Sequence, residues 1–252
     1  MQTHVKDPAH ASLIKANQDH FDEQATKWDD DPEYARISQE SYDTIIHHMG
    51  QFISSSTKVL NFGCGTGLLE AQLRLDVSGI IGIDISAGMI SEMKSKIERE
   101  KWTNVSALQM DILLDNEEVH KTSQREELYE QGFDLVISFY TFHHLQDVDA
   151  IGKALMKYLK PGGYFCMIDF AATASADIDD KEDEHHKHKG ELSEAAKASI
   201  GSHDGFSNSF LIDYYNRLGL ENVTVAAATP LRYDEMTYPT FIAYGRKKEN
   251  NN

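Results

Sequence analysis

Three glycines, Gly63, Gly65 and Gly67, alternate with Cys64 and Thr66 directly behind the strand-forming run Val59-Leu60-Asn61-Phe62. Glycine tolerates positive φ and lets a ligand come close to the backbone. A helix opening behind Gly67, with Leu68, Leu69 and Leu73, would turn unpaired N–H groups toward the same spot. A nucleoside-bearing ligand suits such a turn. Two carboxylates stand at matching places downstream. Asp84 ends a second apolar run and suits the paired hydroxyls of a ribose. Asp111 ends a third, where it can accept from an adenine amino group while Ile112 covers the ring. The glycine spacing departs from the dinucleotide fingerprint G-x-G-x-x-G, because Gly67 comes one residue early and Leu68 stands where glycine is wanted. Histidine suits proton transfer near neutral pH. His143, His144 and His203 are the candidate bases, the first two just past a fourth apolar run.

The elements that must hold these residues alternate regularly. Strands are expected at 58–62, 79–85, 105–110, 133–139 and 164–170, with two closing strands at 223–228 and 241–245. Helices intervene: Ser86 caps one with Met89, Ile90, Met93 and Ile97 on a face, and Val148, Ile151, Leu155 and Leu159 mark another, ended by Pro161-Gly162-Gly163. Alternation of this kind predicts an α/β fold, a parallel sheet with helices on both faces joined by right-handed crossovers. Ligands of such sheets lie beyond the carboxyl ends of the strands, where the glycine turn, Asp84, Asp111 and Ser138 all fall. Ahead of the sheet, residues 1–10 read as a loose arm. A helix over 11–28 is broken by Asp29-Asp30-Asp31-Pro32, and a second runs to Met49. A charged helix is expected over 116–131. The acid- and histidine-rich stretch 171–206 reads as a solvent-facing insertion. Ser207 caps a late helix that Gly219 stops. The expected organisation is an N-terminal arm and helical lid over 1–50 and a binding and catalytic domain over 51–252.

The 252 residues carry 41 acidic against 24 basic side chains, a formal charge of −17. Such a surface repels phosphate backbones and anionic membranes, so neither a nucleic acid nor a membrane is the expected partner. Two cysteines without ligand-like spacing suit a reducing compartment, and the polar N-terminus lacks the apolar core of a signal peptide, so a cytoplasmic location is expected. His185, His186 and His188 are adjacent and alternate rather than one helical turn apart, and no metal site is expected.

In family order, Val59–Gly67, Gly82–Ser86 with Met89, Met110-Asp111, Phe133–Ser138 with His143-His144-Leu145, and Leu159–Gly163 resemble the class I S-adenosylmethionine-dependent methyltransferases of small-molecule type. The resemblance implies a Rossmann-like seven-stranded sheet, mostly parallel with one antiparallel strand near the C-terminus, and S-adenosyl-L-methionine as cofactor. It implies that Gly63, Cys64, Gly65 and Gly67 pack against the cofactor's methionine and ribose parts. Asp84 would hold the ribose hydroxyls, Ile85 and Met89 would flank the adenine, and Asp111 and Ile112 would read its amino edge. Ser138 and Phe139 would line the methionine end. Asn61 departs from the family, many members of which carry an acid nearby. The stretch Phe21–Asp29 resembles the family's N-terminal lid.

The expected reaction is methyl transfer to an O, S or N nucleophile of a small molecule, driven by alignment and exclusion of water. Phe21, Trp28, Tyr34 and Phe142 are the candidate lid or acceptor-pocket residues. A protein acceptor and a catalytically silent cofactor-binding protein are the alternatives; a nicotinamide oxidoreductase fits the glycine spacing poorly.

Overall fold

The computed structural model describes residues 8–113, 132–172, 205–233 and 236–249. The chain opens with two helices, α1 (Pro8–Trp28) and α2 (Pro32–Met49). Asp31 caps α2 by accepting from the Glu33 N–H, and Pro32 sits in its first turn. The sheet then starts with β1 (Lys58–Phe62), followed by α3 (Glu70–Leu73), β2 (Gly79–Asp84), α4 (Ala87–Glu100), β3 (Val105–Gln109) and β4 (Phe133–Phe139). After these come α5 (Val148–Leu155), β5 (Leu159–Phe170), α6 (Asn208–Arg217), β6 (Leu220–Ala227), β7 (Leu231–Tyr233), β8 (Met236–Tyr238) and β9 (Thr240–Lys247).

Seven strands form one sheet in the order β3-β2-β1-β4-β5-β9-β6. The first five pair in parallel, and β9 runs antiparallel to both β5 and β6. Strand order reverses between β1 and β4, so the glycine turn that leaves β1 opens at the switch point, the place where such sheets bind ligands. Successive residues of a strand point to opposite faces, and two cores result. Leu60, Val136, Phe165 and Met167 join the core against α5 and α6. Val59, Leu135, Ile137, Cys166 and Ile168 join the other, with Ile45 and Met49 of α2 and Ile90 and Met93 of α4. Burying each of the large aliphatic side chains contributes roughly 1.5–3 kcal/mol.

The structure corrects several sequence expectations. The helix behind the glycine turn is a single turn, α3, that begins at Glu70 rather than at the turn itself. Its end is captured early, because Asn104 Nδ2 donates to the carbonyls of Arg74 and Val77. Leu159 belongs to β5 and not to the preceding helix; Phe133 pairs with it, and the Phe133 N–H bonds the Tyr158 carbonyl. The pairing then shifts, so that Leu135 meets Tyr164 and Lys160–Gly163 is looped out. The short β7–β8 pair has no counterpart in the expected strands. The charged helix expected over 116–131 lies outside the described residues, as do His185, His186, His188 and His203 and most of the insertion. Among the described residues no helix is long and apolar enough to cross a membrane.

Candidate functional site

The glycine turn is fixed by its neighbours before any ligand is considered. Gly63 and Cys64 both donate N–H bonds to the Ile83 carbonyl of β2, and Gly67 donates to the Cys64 carbonyl. All three glycines have positive φ: +75°, +55° and +83°. Their reasons differ. A Cβ on Gly63 would lie 2.2 Å from Thr141 Oγ1, and one on Gly67 would lie 2.9 Å from Met93. These two glycines are required by packing as well as by backbone shape. A Cβ on Gly65 would meet nothing within 4 Å. Gly65 alone opens onto free space, and there a ligand can reach the backbone. Cys64 is buried, and its sulfur would lie 2.8 Å from a Cβ on Gly82; burial pushes its thiol well up, away from nucleophilic use.

Asp84 ties the turn to the next strand. One carboxylate oxygen accepts the Gly65 N–H at 2.9 Å and the other accepts the Ser86 N–H at 2.9 Å. Burial pushes its carboxyl upward, against the pull of these N–H donors. Beside it lies a cleft of about 50 Å³ lined by Phe62, Ile85, Asp111, Ile112, His144 and Ile151, together with Leu13, Ile14 and Asn17 of α1. Four of the sequence candidates, Ile85, Asp111, Ile112 and His144, therefore share one wall. Asp111 also accepts the Leu113 N–H, which points its carboxylate. Met89, buried, holds the first turn of α4, where its N–H bonds Ser86 Oγ; it does not line the cleft. Ser138 is buried too, its hydroxyl donating to the Phe62 carbonyl and bracing β1 on β4. Phe139 is half-buried against the α2–α4 core.

Helix α1 lies across this edge and is fastened to it by polar side chains that the sequence reading did not single out. Asp22 accepts from the Ser86 hydroxyl and the Gly88 N–H, at the start of α4. Asp29 accepts from Thr66 Oγ1 at 2.6 Å and pairs with the buried Lys96 at 2.6 Å. Gln18 donates to the Ile85 carbonyl and Asn17 to the His144 carbonyl. A signal was present: Asp22 and Asp29 bracket the stretch that reads as a lid. Phe21 meets His144 and Trp28 edge to face, and Trp28 stacks on Tyr34 at 3.9 Å, so the lid candidates Phe21, Trp28 and Tyr34 form one aromatic series. Phe142 is a correction. Its ring is 1 % exposed and packs among Phe62, Phe165 and Tyr214, which makes it core rather than pocket wall.

His143 and His144 lie in the turn after β4, which Tyr140 enters with a left-handed φ of +48°. His143 Nδ1 stands 2.8 Å from Asp169 Oδ1, and the His143 N–H donates to Asp169 Oδ2. Asp169, at 0 % exposure, also accepts the Phe170 N–H. A carboxylate on Nδ1 fixes the ring's tautomer, leaving Nε2 as acceptor. Asp169 is not among the residues singled out from the sequence; its partnership with His143 joins β5 to the β4 turn and is invisible without the sheet order.

Beneath the glycine turn lies a second buried carboxyl. Glu70 of α3 accepts from Asn61 Nδ2 at 2.7 Å, and both residues are 1 % exposed. Burial pushes Glu70 up to about 7, opposed by Asn61 and Lys96. The folded chain thus holds a proton that the unfolded chain releases between pH 4.5 and about 7. Stability from this group falls as pH rises through that window. At roughly 1.4 kcal/mol per unit, the loss is about 3 kcal/mol. Glu70→Gln should therefore gain about that much on the unaltered chain between pH 4 and pH 8, measured by urea unfolding. Parallel pH profiles for the two proteins would refute the assignment.

The fold is a doubly wound sheet whose glycine turn and strand-end carboxylates gather at its switch point. A family profile described as a methyltransferase domain matches residues 53–213, more than half of the chain. The chain belongs to the class I S-adenosylmethionine-dependent methyltransferases. An uncharacterised methyltransferase of Schizosaccharomyces pombe is 27% identical over 173 residues, 68% of this chain and 56% of that protein. The malonyl-[acyl-carrier protein] O-methyltransferase of Priestia megaterium is 31% identical over 134 residues, 52% of this chain and 43% of that one. The chain spans about half the length of these curated relatives. Among solved structures, phosphoethanolamine N-methyltransferase 2 of Haemonchus contortus, in complex with phosphomonomethylethanolamine and S-adenosylhomocysteine, shares the fold. Its TM-score is 0.60 at 15% identity, covering 83% of this chain and 52% of that one.

Proposed function

We propose that this chain binds S-adenosyl-L-methionine at the switch point and transfers its methyl group to an O, S or N nucleophile of a small molecule. The observation that carries the reading is the joint placement of Gly65, Asp84, Asp111 and Ile112. An open glycine, two carboxylates and an apolar wall stand along one sheet edge, in the order a methionine tail, ribose and adenine require. When bound, the cofactor supplies an activated methyl on a sulfonium. The chain's residues supply the rest. Asp84 accepts from the ribose hydroxyls, Asp111 and Ile112 read the adenine, and Ile85 flanks it. His144 faces the cleft from the β4 turn, and His143, oriented by Asp169, is the base for an acceptor that arrives protonated. A curated relative named as a malonyl-[acyl-carrier protein] O-methyltransferase supports an acceptor that presents a small group to be methylated. The acidic surface of this chain supports it further, by disfavouring nucleic acid. Calorimetry with S-adenosylmethionine, followed by S-adenosylhomocysteine production across an acceptor panel, tests the reading. Absence of cofactor binding would overturn it, and methyl label in protein would replace the small-molecule acceptor with a protein one.

In this proposal α1 acts as a lid on the domain, while α2 stays with the sheet through its buried Ile45 and Met49. The cleft of about 50 Å³ is far smaller than the roughly 300–1,000 Å³ of ligand pockets, and α1 side chains occupy its outer wall. Admission of the cofactor then requires α1 to move outward, breaking the Asp29 contacts with Thr66 and Lys96. Asp29→Ala should speed cofactor dissociation by about tenfold in stopped-flow measurements, since one partly buried charged contact is worth on the order of 1–2 kcal/mol. An unchanged dissociation rate would remove the lid from the reading.

A further inference from the structure

Asn17 takes no part in the cofactor reading, yet it lines the same cleft as Asp111 and Ile112. Leu13, Ile14, Asn17 and Phe21 fall on one stripe of α1 at three- and four-residue spacing. Asn17 is the polar member of that stripe, and it is 5 % exposed. An amide so placed is costly unless its polar atoms are bonded. One of them is: Nδ2 donates to the His144 carbonyl at 3.1 Å. That bond fixes which way the amide is turned, because the reverse would set two oxygens against each other. Asn17 Oδ1 is then buried without a hydrogen-bond partner. Of the buried side-chain atoms in that state among the described residues, it alone belongs to the lining of the cleft. The carboxylates beside it already have donors. Asp111 accepts the Leu113 N–H, and Asp147 accepts the Ala150 N–H at the start of α5. A buried acceptor without a donor calls for a specific reason, and on a ligand-sized wall that reason is a donor brought by the ligand.

We propose that Asn17 is a specificity-determining residue for the cofactor's base, its Oδ1 accepting from the adenine amino group. The inference rests on the cofactor reading above, in which Asp111 reads the same amino group. That group carries two N–H donors on one nitrogen, so its full recognition takes two acceptors. The sheet supplies one just past β3, and the lid helix supplies the other. Helix α1 moves outward to admit the cofactor and returns with Asn17 against the base. The lid thereby reads the ligand as well as covering it. A base with an oxygen in place of the amino group would present an acceptor to two acceptors, and closure over it is disfavoured.

The test compares S-adenosylhomocysteine with its desamino analogue, in which hydrogen replaces the adenine amino group. Dissociation constants for both are measured by calorimetry on the unaltered chain and on Asn17→Leu, which keeps the size of the side chain and suits the apolar stripe. The analogue should bind the unaltered chain at least tenfold more weakly than S-adenosylhomocysteine. In Asn17→Leu that preference should shrink by about tenfold, the factor that one net hydrogen bond supplies. The variant also frees the His144 carbonyl, a loss common to both ligands that cancels in the ratio. An equal ratio in the two proteins would overturn the proposal, whatever happens to affinity itself. Asn17→Ala reads the same ratio should Asn17→Leu fail to fold. Equal affinity of the unaltered chain for the two ligands would overturn the proposal with no variant at all. Binding of neither ligand to the unaltered chain would instead overturn the cofactor reading, and this inference with it.

Discussion

Gly63→Ala is expected to cost about 2–5 kcal/mol of folding stability, seen as a lower urea midpoint at unchanged slope. Two separate penalties add. A left-handed φ of +75° costs an alanine roughly 1–2 kcal/mol. The new Cβ also falls 2.2 Å from Thr141 Oγ1, 2.5 Å from its Cγ2 and 2.8 Å from its Cβ. A β-branched side chain has few rotamers in which to retreat, and overpacking of this kind costs typically 1–3 kcal/mol. Pairing the substitution with Thr141→Gly removes the clash and leaves the backbone strain, so it should recover only part of the loss. Gly65→Ala makes the opposite contrast. Its Cβ meets no protein atom, so stability falls only by the backbone strain while cofactor binding is lost to steric obstruction. A wild-type midpoint for Gly63→Ala would show that the turn does not hold the geometry described.

Asp84→Ala should weaken S-adenosylmethionine binding by about a thousandfold, measured by calorimetry. Each hydrogen bond to a charged group is worth roughly 1.5–3 kcal/mol, and the proposed ribose contact has two. The substitution also strips the Gly65 and Ser86 N–H groups of their acceptor, so the turn and the start of α4 lose a common anchor. Asp84→Asn separates these contributions. Its amide oxygen can serve one N–H, and its amide nitrogen repels the other, so it should keep the fold and still lose most of the affinity. An affinity for Asp84→Ala within threefold of the unaltered chain would assign the ribose to another residue.

Much of the fold could be read from the chain because the signals are local. Apolar runs, the Asp31-Pro32 and Ser86 caps and the glycine turn each act within a few residues, and all appear where expected. The antiparallel β9 was foreseen from the family resemblance rather than from its own pattern. What failed was decided at a distance. Leu159 fits a helical stripe by spacing, yet Phe133 draws it into the sheet. Phe142 carries the same aromatic ring as a pocket wall would, and only its position between Phe165 and Tyr214 makes it core. At the site, Asp84, Asp111 and Ile112 announce themselves by ending strands. Asp169, Glu70 and Lys96 do not, since their partners lie 26, 9 and 67 residues away along the chain. A carboxylate's role is set by what the folded chain places beside it, and spacing alone carries no trace of that.

The stacking of Trp28 on Tyr34 has a practical consequence. The chain contains two tryptophans, and they occupy unlike settings. Trp102 is buried just past the end of α4, with the Arg74 guanidinium over its ring. Trp28 ends α1 and lies flat on a tyrosine of α2, beside the Asp29–Asp31 joint between the two helices. Separation of those two rings changes the environment of one indole and leaves the other untouched. If α1 swings as proposed, the protein carries an intrinsic fluorescent gauge of its own N-terminal helix, needing no label, and Trp102→Phe would leave Trp28 as its sole tryptophan.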